Sequence, residues 1–148
     1  MSNSYSQNYI HFMFSTKNRE NVLEEKYNVE LHKYISSVVK DRKCRLYTIN
    51  NISDHMHILA SIHPTLSISK FMRDIKSFSS KFINEKGWYK EKFQWQEGYG
   101  AFSCSQSQLN SLIKYIQNQK EHHENKTFRE EYIEFLKKYK IGYDEKYL

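Results

Sequence analysis

The stretch CRLYTINNISDHMHILASIH, from Cys44 to His63, decides the fold. Its first part, Cys44 to Ile52, is rich in β-branched and aromatic residues and predicts a strand. Asn50, Asn51, Ser53 and Asp54 supply a turn. A further strand runs from His55 to His63 and stops at Pro64, which has no N–H to continue a ladder. Side chains two apart in a strand point the same way. Met56, Ile58, Ala60 and Ile62 therefore share one face, suited to packing under helices, while His55 and His57 share the other.

The flanking segments complete this pattern. Upstream, Tyr9 to Thr16 alternates, with Ile10, Phe12 and Phe14 on one side, as a strand does. Glu24 to Lys40 carries Tyr27, Leu31, Tyr34, Ile35, Val38 and Val39 in one stripe, which predicts a helix. Downstream, Ser67 precedes a helix with Ile68, Phe71, Met72, Ile75, Phe78 and Phe82 on one face and Lys70, Arg73, Lys76 and Lys81 opposite. A short strand is expected near Tyr99 to Cys104. Ser105 and Gln108 have capping-box spacing and open a helix carrying Leu109, Leu112, Ile113 and Ile116. Thr127 and Glu130 repeat that spacing before a last helix with Phe128, Tyr132, Phe135, Leu136 and Tyr139, which Gly142 ends. Strand, helix, strand, strand, helix, strand is the split βαβ, ferredoxin-like α+β order. It predicts an antiparallel sheet with helices on one face and the other face open, with additional C-terminal helices. The histidines then lie on the open face. We expect one domain over 1–148, with a core at 9–120, its last helix at about 105–121, and a C-terminal helix and tail at 127–148.

A chain of 148 residues suits a single core. The 23 basic residues exceed the 17 acidic ones, for a net charge of +6. Such an excess attracts polyanions, of which nucleic acid is the commonest. The aromatic share of 16% fits either a ring-rich core or a surface that stacks on unpaired bases. Cys44 and Cys104 form neither a metal-type pair nor a disulfide framework, which points to a reduced, cytosolic protein. Met1 to Gln7 is polar and lacks the apolar core of a signal peptide. No apolar run is long enough to span a membrane. With only four glycines, a Gly-rich phosphate loop is essentially excluded.

Two features carry chemistry. Adjacent imidazoles from His55 and His57 are a ready pair of metal ligands; the plainer reading is two strand histidines that bind nothing. Tyr115 and Gln119 are four apart, hence one turn apart on the same helix side. That tyrosine either lies against the sheet as a boundary residue or faces a cleft. The basic groups Lys40, Arg42, Lys43 and Arg45, and Lys70, Arg73, Lys76 and Lys81, either neutralise phosphates or form solvated surfaces. Gly98 and Gly100 serve as hinges or only satisfy local turns.

His55-Met56-His57 resembles the HUH motif, two histidines flanking a bulky apolar residue. Tyr115-Ile116-Gln117-Asn118-Gln119 resembles the catalytic helix of the single-tyrosine HUH transposases, the insertion-sequence 200/605 group. Tyr9 to Lys17 is similar to that group's opening strand, and Phe93 to Ser103 to the segment before its catalytic helix. The resemblance covers Tyr9 to about Lys120. It implies an HUH endonuclease-type domain acting as a homodimer, in which the tyrosine helix of one subunit docks beside the histidines of the other. It implies cleavage and rejoining of single-stranded DNA at hairpin-marked element ends, through a 5′-phosphotyrosine and without ATP or another nucleotide cofactor. Tyr115 is then the nucleophile, and His55, His57 and Gln119 hold Mg²⁺ or Mn²⁺. His122, seven residues after Tyr115, or its neighbour His123, is the alternative to Gln119. Asp54 either orients a histidine from behind or caps the turn. Arg42, Lys43, Arg45, Lys70, Arg73 and Lys76 are the candidate DNA contacts. The setting is cytoplasmic and of bacterial type, on the nucleoid when acting. Two other functions are compatible with these residues: a domesticated HUH nickase acting on chromosomal repeats, and a non-catalytic ferredoxin-like nucleic-acid-binding module.

Overall fold

A computed structural model describes residues 4–148. The expectation for Met1 to Gln7 falls partly on residues 1–3, outside the described residues. The order is β1 (Tyr9–Ser15), α1 (Asn28–Asp41), β2 (Arg45–Asn51), β3 (His55–Ser61), α2 (Ile68–Lys86), β4 (Gly100–Ser103), α3 (Leu109–Gln117), α4 (Gln119–His122) and α5 (Phe128–Lys138). The four strands form one antiparallel sheet in the order β2-β3-β1-β4, the ferredoxin-like α+β arrangement. Among the described residues no helix is long and apolar enough to cross a membrane.

Local chemistry sets the boundaries. α1 starts four residues later than its apolar stripe suggests, behind a 3₁₀ turn at Glu25–Tyr27. At its end Lys43 adopts a left-handed φ of 59°, and the N–H of Cys44 bonds back to Val39. Cys44 is thus spent on closing the helix, and β2 begins at Arg45. β3 ends at Ser61; Ile62 still donates to the Asn8 carbonyl, and the chain then turns, with His63 Nδ1 accepting the N–H of Thr65. Both expected capping boxes, Ser105 with Gln108 and Thr127 with Glu130, are present.

Ile10, Phe12, Phe14, Met56, Ile58 and Ala60 pack against Leu31, Ile35, Phe71, Met72 and Ile75 of α1 and α2. The second sheet face differs from expectation, because it is not open. Leu109 and Ile116 of α3 cover Tyr9 and Leu59, while Phe128 and Leu136 of α5 cover Met13 and Phe102. The reason is apolar area. Fully burying a side chain of this size is worth about 1.5–3 kcal/mol, so the apolar stripes of α3 and α5 close over the sheet. β1 is consequently buried along its whole length. The helix expected at about 105–121 is broken at Asn118, where α3 gives way to α4. Asn50 of β2 donates from Nδ2 to the carbonyls of Ile116 and Gln117, at 2.9 and 3.2 Å, and so holds the end of α3 to the sheet.

Gly100 pairs with Met13 at the edge of this closure. A Cβ there would stand 2.9 Å from the Phe102 ring and 3.2 Å from that of Tyr132. Gly100→Ala should therefore cost about 1–3 kcal/mol, as overpacking does. Gly142→Ala, which meets nothing within 4 Å, should be close to neutral. Urea unfolding of the two variants checks this; equal midpoints would contradict it.

Candidate functional site

His55 and His57 project from β3 towards α3, α4 and α5, and both are fully buried. Buried imidazoles need partners for both ring nitrogens. His55 Nδ1 lies 2.7 Å from Asp54 Oδ1. His57 Nδ1 lies 2.7 Å from Nε2 of His11, a β1 residue whose ring stacks on it at 5.0 Å. His123, between α4 and α5, places Nδ1 2.6 Å from the carbonyl of Lys126. The three remaining nitrogens converge. Nε2 of His123, His57 and His55 lies 3.0, 3.1 and 3.5 Å from Oε1 of Glu131, in the first turn of α5.

The other oxygen of that carboxylate faces the tyrosine helix. Tyr115 donates its hydroxyl to Glu131 Oε2, and Gln119 Nε2 donates to the same atom at 3.1 Å. Gln119 Oε1 lies 3.1 Å from His55 Nε2. The sheet, α3, α4 and α5 of one chain therefore bring Tyr115, Gln119, His55 and His57 together around a single carboxylate. His122 stays outside the cluster, stacked on the Tyr115 ring at 4.5 Å. A cleft of about 460 Å³ opens beside Tyr115, lined by Ser107, Ser111, Phe135, Lys138 and Tyr139.

The charge pattern is unusual for an interior. Burial would raise the Glu131 carboxyl, but the imidazoles of His123, His55 and His57 that surround it outweigh burial and hold the group far below the ordinary range. Burial lowers His57, and burial together with His57 lowers His11. At His55 burial is overcome by Asp54 and Glu131, which raise it. Burial and then the Glu131 charge push the Tyr115 phenol well above 10.

Tautomers follow from partners. The carbonyl of Lys126 can only accept, and so can an ionised Asp54. His123 and His55 therefore carry their hydrogens on Nδ1 and, when neutral, turn Nε2 lone pairs towards Glu131. Lone pairs and a carboxylate oxygen at 3.0–3.5 Å repel unless positive charge lies among them. Either two adjacent imidazoles are charged, which repel each other, or one cation serves all. The donors suit a metal: His55, His57, His123 and Glu131 each offer one atom, all within 4.8 Å of one another. Each histidine is also held from behind on Nδ1, as metal-ligating histidines are.

The basic residues lie elsewhere. α2 packs on the opposite sheet face from the histidines. Arg42 is paired with Asp74 at 3.0 Å and lies over the Phe78 ring. Lys76 Nζ donates to the carbonyls of Gln96 and Gly98 at 2.6 and 2.8 Å, tying the β4 approach to α2. Lys70 and Arg73 are exposed on α2, and Lys43 is exposed at the turn after α1. Arg45 lies over the ring of Tyr47.

Residues 4–119 match the family model described as transposase IS200 like, and the chain belongs to that family. Two solved structures share the fold. A candidate transposase from Deinococcus radiodurans R1 is 19% identical, with a TM-score of 0.63 over 80% of this chain and 95% of that one. A REP-associated tyrosine transposase bound to a REP hairpin is 18% identical, with a TM-score of 0.62 over 83% of this chain and 73% of that one. No curated protein matches the chain.

Sequence reasoning missed Glu131 and His11, and weighed His123 only as a substitute ligand. The signal for Glu131 was its position. Phe128, Glu131 and Phe135 fall at i, i+3 and i+7, which puts a carboxylate on the buried stripe of α5. His11 has the matching mark, a polar residue on the second face of β1.

A phenol raised in the folded state stabilises the fold below its unfolded pKa and loses that contribution as pH rises through the folded value. In metal-free protein Tyr115 should thus remain protonated at pH 10, where an ordinary phenol is half ionised. Tyrosinate absorbance of wild type minus Tyr115→Phe checks this. A one-tyrosine step centred near pH 10 would contradict it.

Proposed function

We propose that this transposase cleaves and rejoins single-stranded DNA at hairpin-marked element ends, with Tyr115 as nucleophile beside a metal held by His55 and His57. The observation that carries this reading is the shared carboxylate: the Tyr115 hydroxyl and the Nε2 atoms of both histidines meet at Glu131 within one chain. A nucleophile, metal-ligand nitrogens and an acceptor that aims the nucleophile are the parts that phosphoryl transfer through tyrosine needs. Hairpin DNA is what the REP-associated structural neighbour binds, and a hairpin-marked single strand is part of the proposal for this chain.

The residues divide the work. The cleft beside Tyr115 admits the strand, and Lys138 on its wall supplies a cation for the backbone. The Tyr115 oxygen forms a bond to phosphorus while the bond to the 3′ oxygen breaks. Glu131 Oε2 accepts the Tyr115 hydroxyl and aims it; the phenol proton leaves to solvent through the cleft, and the leaving 3′ oxygen takes a proton from solvent. The product is a 5′-phosphotyrosine and a free 3′-hydroxyl. A second 3′-hydroxyl reverses the step, and because one phosphodiester replaces another, no nucleotide triphosphate is required. His55, His57 and Gln119 offer donor atoms for a divalent ion, with Mg²⁺ and Mn²⁺ implied by the family resemblance. Such an ion, when bound, supplies the charge that polarises the scissile phosphate and offsets the hold of Glu131 on the Tyr115 proton. Asp54 and His11 orient the two histidines.

We read the site as complete within each chain, because the histidines, glutamine and tyrosine of one chain meet at one carboxylate. Two element ends call for two tyrosines, and a homodimer of complete sites supplies them.

The test is a denaturing gel of protein incubated with labelled single strands from the flanks of its own gene and Mn²⁺. A DNA-linked protein band that is metal-dependent, absent with duplex and lost in Tyr115→Phe is expected. Tight single-strand binding with no linked band on any flank would point to a binding module instead.

A further inference from the structure

The residues that match the family model end at 119, yet the buried cluster draws two of its groups from beyond that point. His123 and Glu131 belong to the segment that closes the second sheet face, and Glu131 has no solvent exposure. Its Oε1 stands 3.0, 3.1 and 3.5 Å from three imidazole nitrogens. With metal–nitrogen and metal–oxygen bonds of about 2.0–2.2 Å, neighbouring ligand atoms lie roughly 3.3–3.6 Å apart around a tetrahedral ion and about 2.8–3.1 Å apart around a six-coordinate one, which keeps positions open. The three distances fall within these limits, and all four atoms lie within 4.8 Å of one another, so they can converge on one ion. Gln119 braces the arrangement, donating to Glu131 Oε2 while its oxygen lies near His55.

We propose that His123 and Glu131 complete the metal site of His55 and His57, giving a three-histidine, one-carboxylate centre that binds a first-row transition-metal dication in preference to Mg²⁺. This rests on the metal placed at His55 and His57 in the proposed function. Selectivity follows from the donors. Imidazole nitrogen suits Zn²⁺, Fe²⁺ and their neighbours, and the carboxylate is acceptable to Mn²⁺. Mg²⁺ is bound through oxygen, gives up its waters reluctantly and demands near-octahedral oxygen geometry. Three nitrogens in a dry pocket offer it little. The same carboxylate accepts from Tyr115 through its second oxygen, so the ligand set also fixes the position of the tyrosine.

Metal binding by the full-length protein tests this without any DNA. Chelator-treated protein is titrated calorimetrically with Mn²⁺, Zn²⁺ and Mg²⁺, each alone, and the Mn²⁺ complex is challenged with a hundredfold excess of Mg²⁺. One Mn²⁺ or Zn²⁺ per chain is expected, with Mg²⁺ failing to displace it. His123→Ala and Glu131→Gln should each weaken Mn²⁺ by at least about 10-fold, the loss that even outer partners of metal-bound histidines produce. His122→Ala, at the neighbouring residue outside the cluster, should stay within twofold. His123→Ala is the more secure variant for folding, and circular dichroism confirms it. Unchanged affinity in His123→Ala, displacement by Mg²⁺, or no metal bound by the wild type would overturn the proposal. The Tyr115–DNA band is read separately. A band with unaltered metal affinity in these variants would remove the extra ligands and leave the function; the expected affinities without a band would do the reverse.

Discussion

A carboxylate sealed from water must be met by donors or positive charge, or it does not stay ionised. Glu131 is such a group, and much of the second half of the molecule is arranged around it. Three imidazoles face one of its oxygens, and a phenol and an amide face the other. Removing any one partner leaves the rest of the cluster with uncompensated polarity in a low-dielectric interior, where the cost is greatest. The polar cluster is therefore set to behave as a unit rather than as separate contacts.

The fold supplies this unit through three independent supports. β3 sets the spacing of His55 and His57, and its neighbour β1 places His11 behind them. β2 reaches across through Asn50 to fix the end of α3, and with it Tyr115 and Gln119. α5 lays Phe128 on the His55 ring and brings Glu131 underneath. The apolar closure of the sheet and the assembly of the site are the same event. Tyr115, Gln119, Glu131, His55 and His57 all stand on strands and helices, with His123 in the turn between α4 and α5.

What could be read from the sequence was what is local. Period-two alternation marked the strands and faces of β1 and β3. The two capping boxes marked the starts of the last helices, and four-residue spacing put Tyr115 and Gln119 on one side. What could not be read depends on distant partners. The break at Asn118 exists because a β2 asparagine takes the α3 carbonyls. The second face closes because α5 brings Phe128 and Leu136 to it, and nothing near those residues names their target. Glu131 was hidden in plain chemistry. An acidic residue in a first helical turn usually serves the helix dipole in solvent, and only its place in the Phe128–Phe135 stripe contradicts that. The basic side chains were legible only as a charge pattern: nothing in the sequence tells that Arg42 pairs with Asp74 or that Lys76 donates to the carbonyls of Gln96 and Gly98.

The central claim is that one chain holds a complete site. It is tested most directly by complementation: His57→Ala and Tyr115→Phe proteins are mixed, allowed to exchange subunits and assayed for the DNA-linked band. A site built within one chain predicts no recovery, because every subunit lacks one part. Recovery of the band would mean that tyrosine and histidines come from different subunits, and would contradict the account.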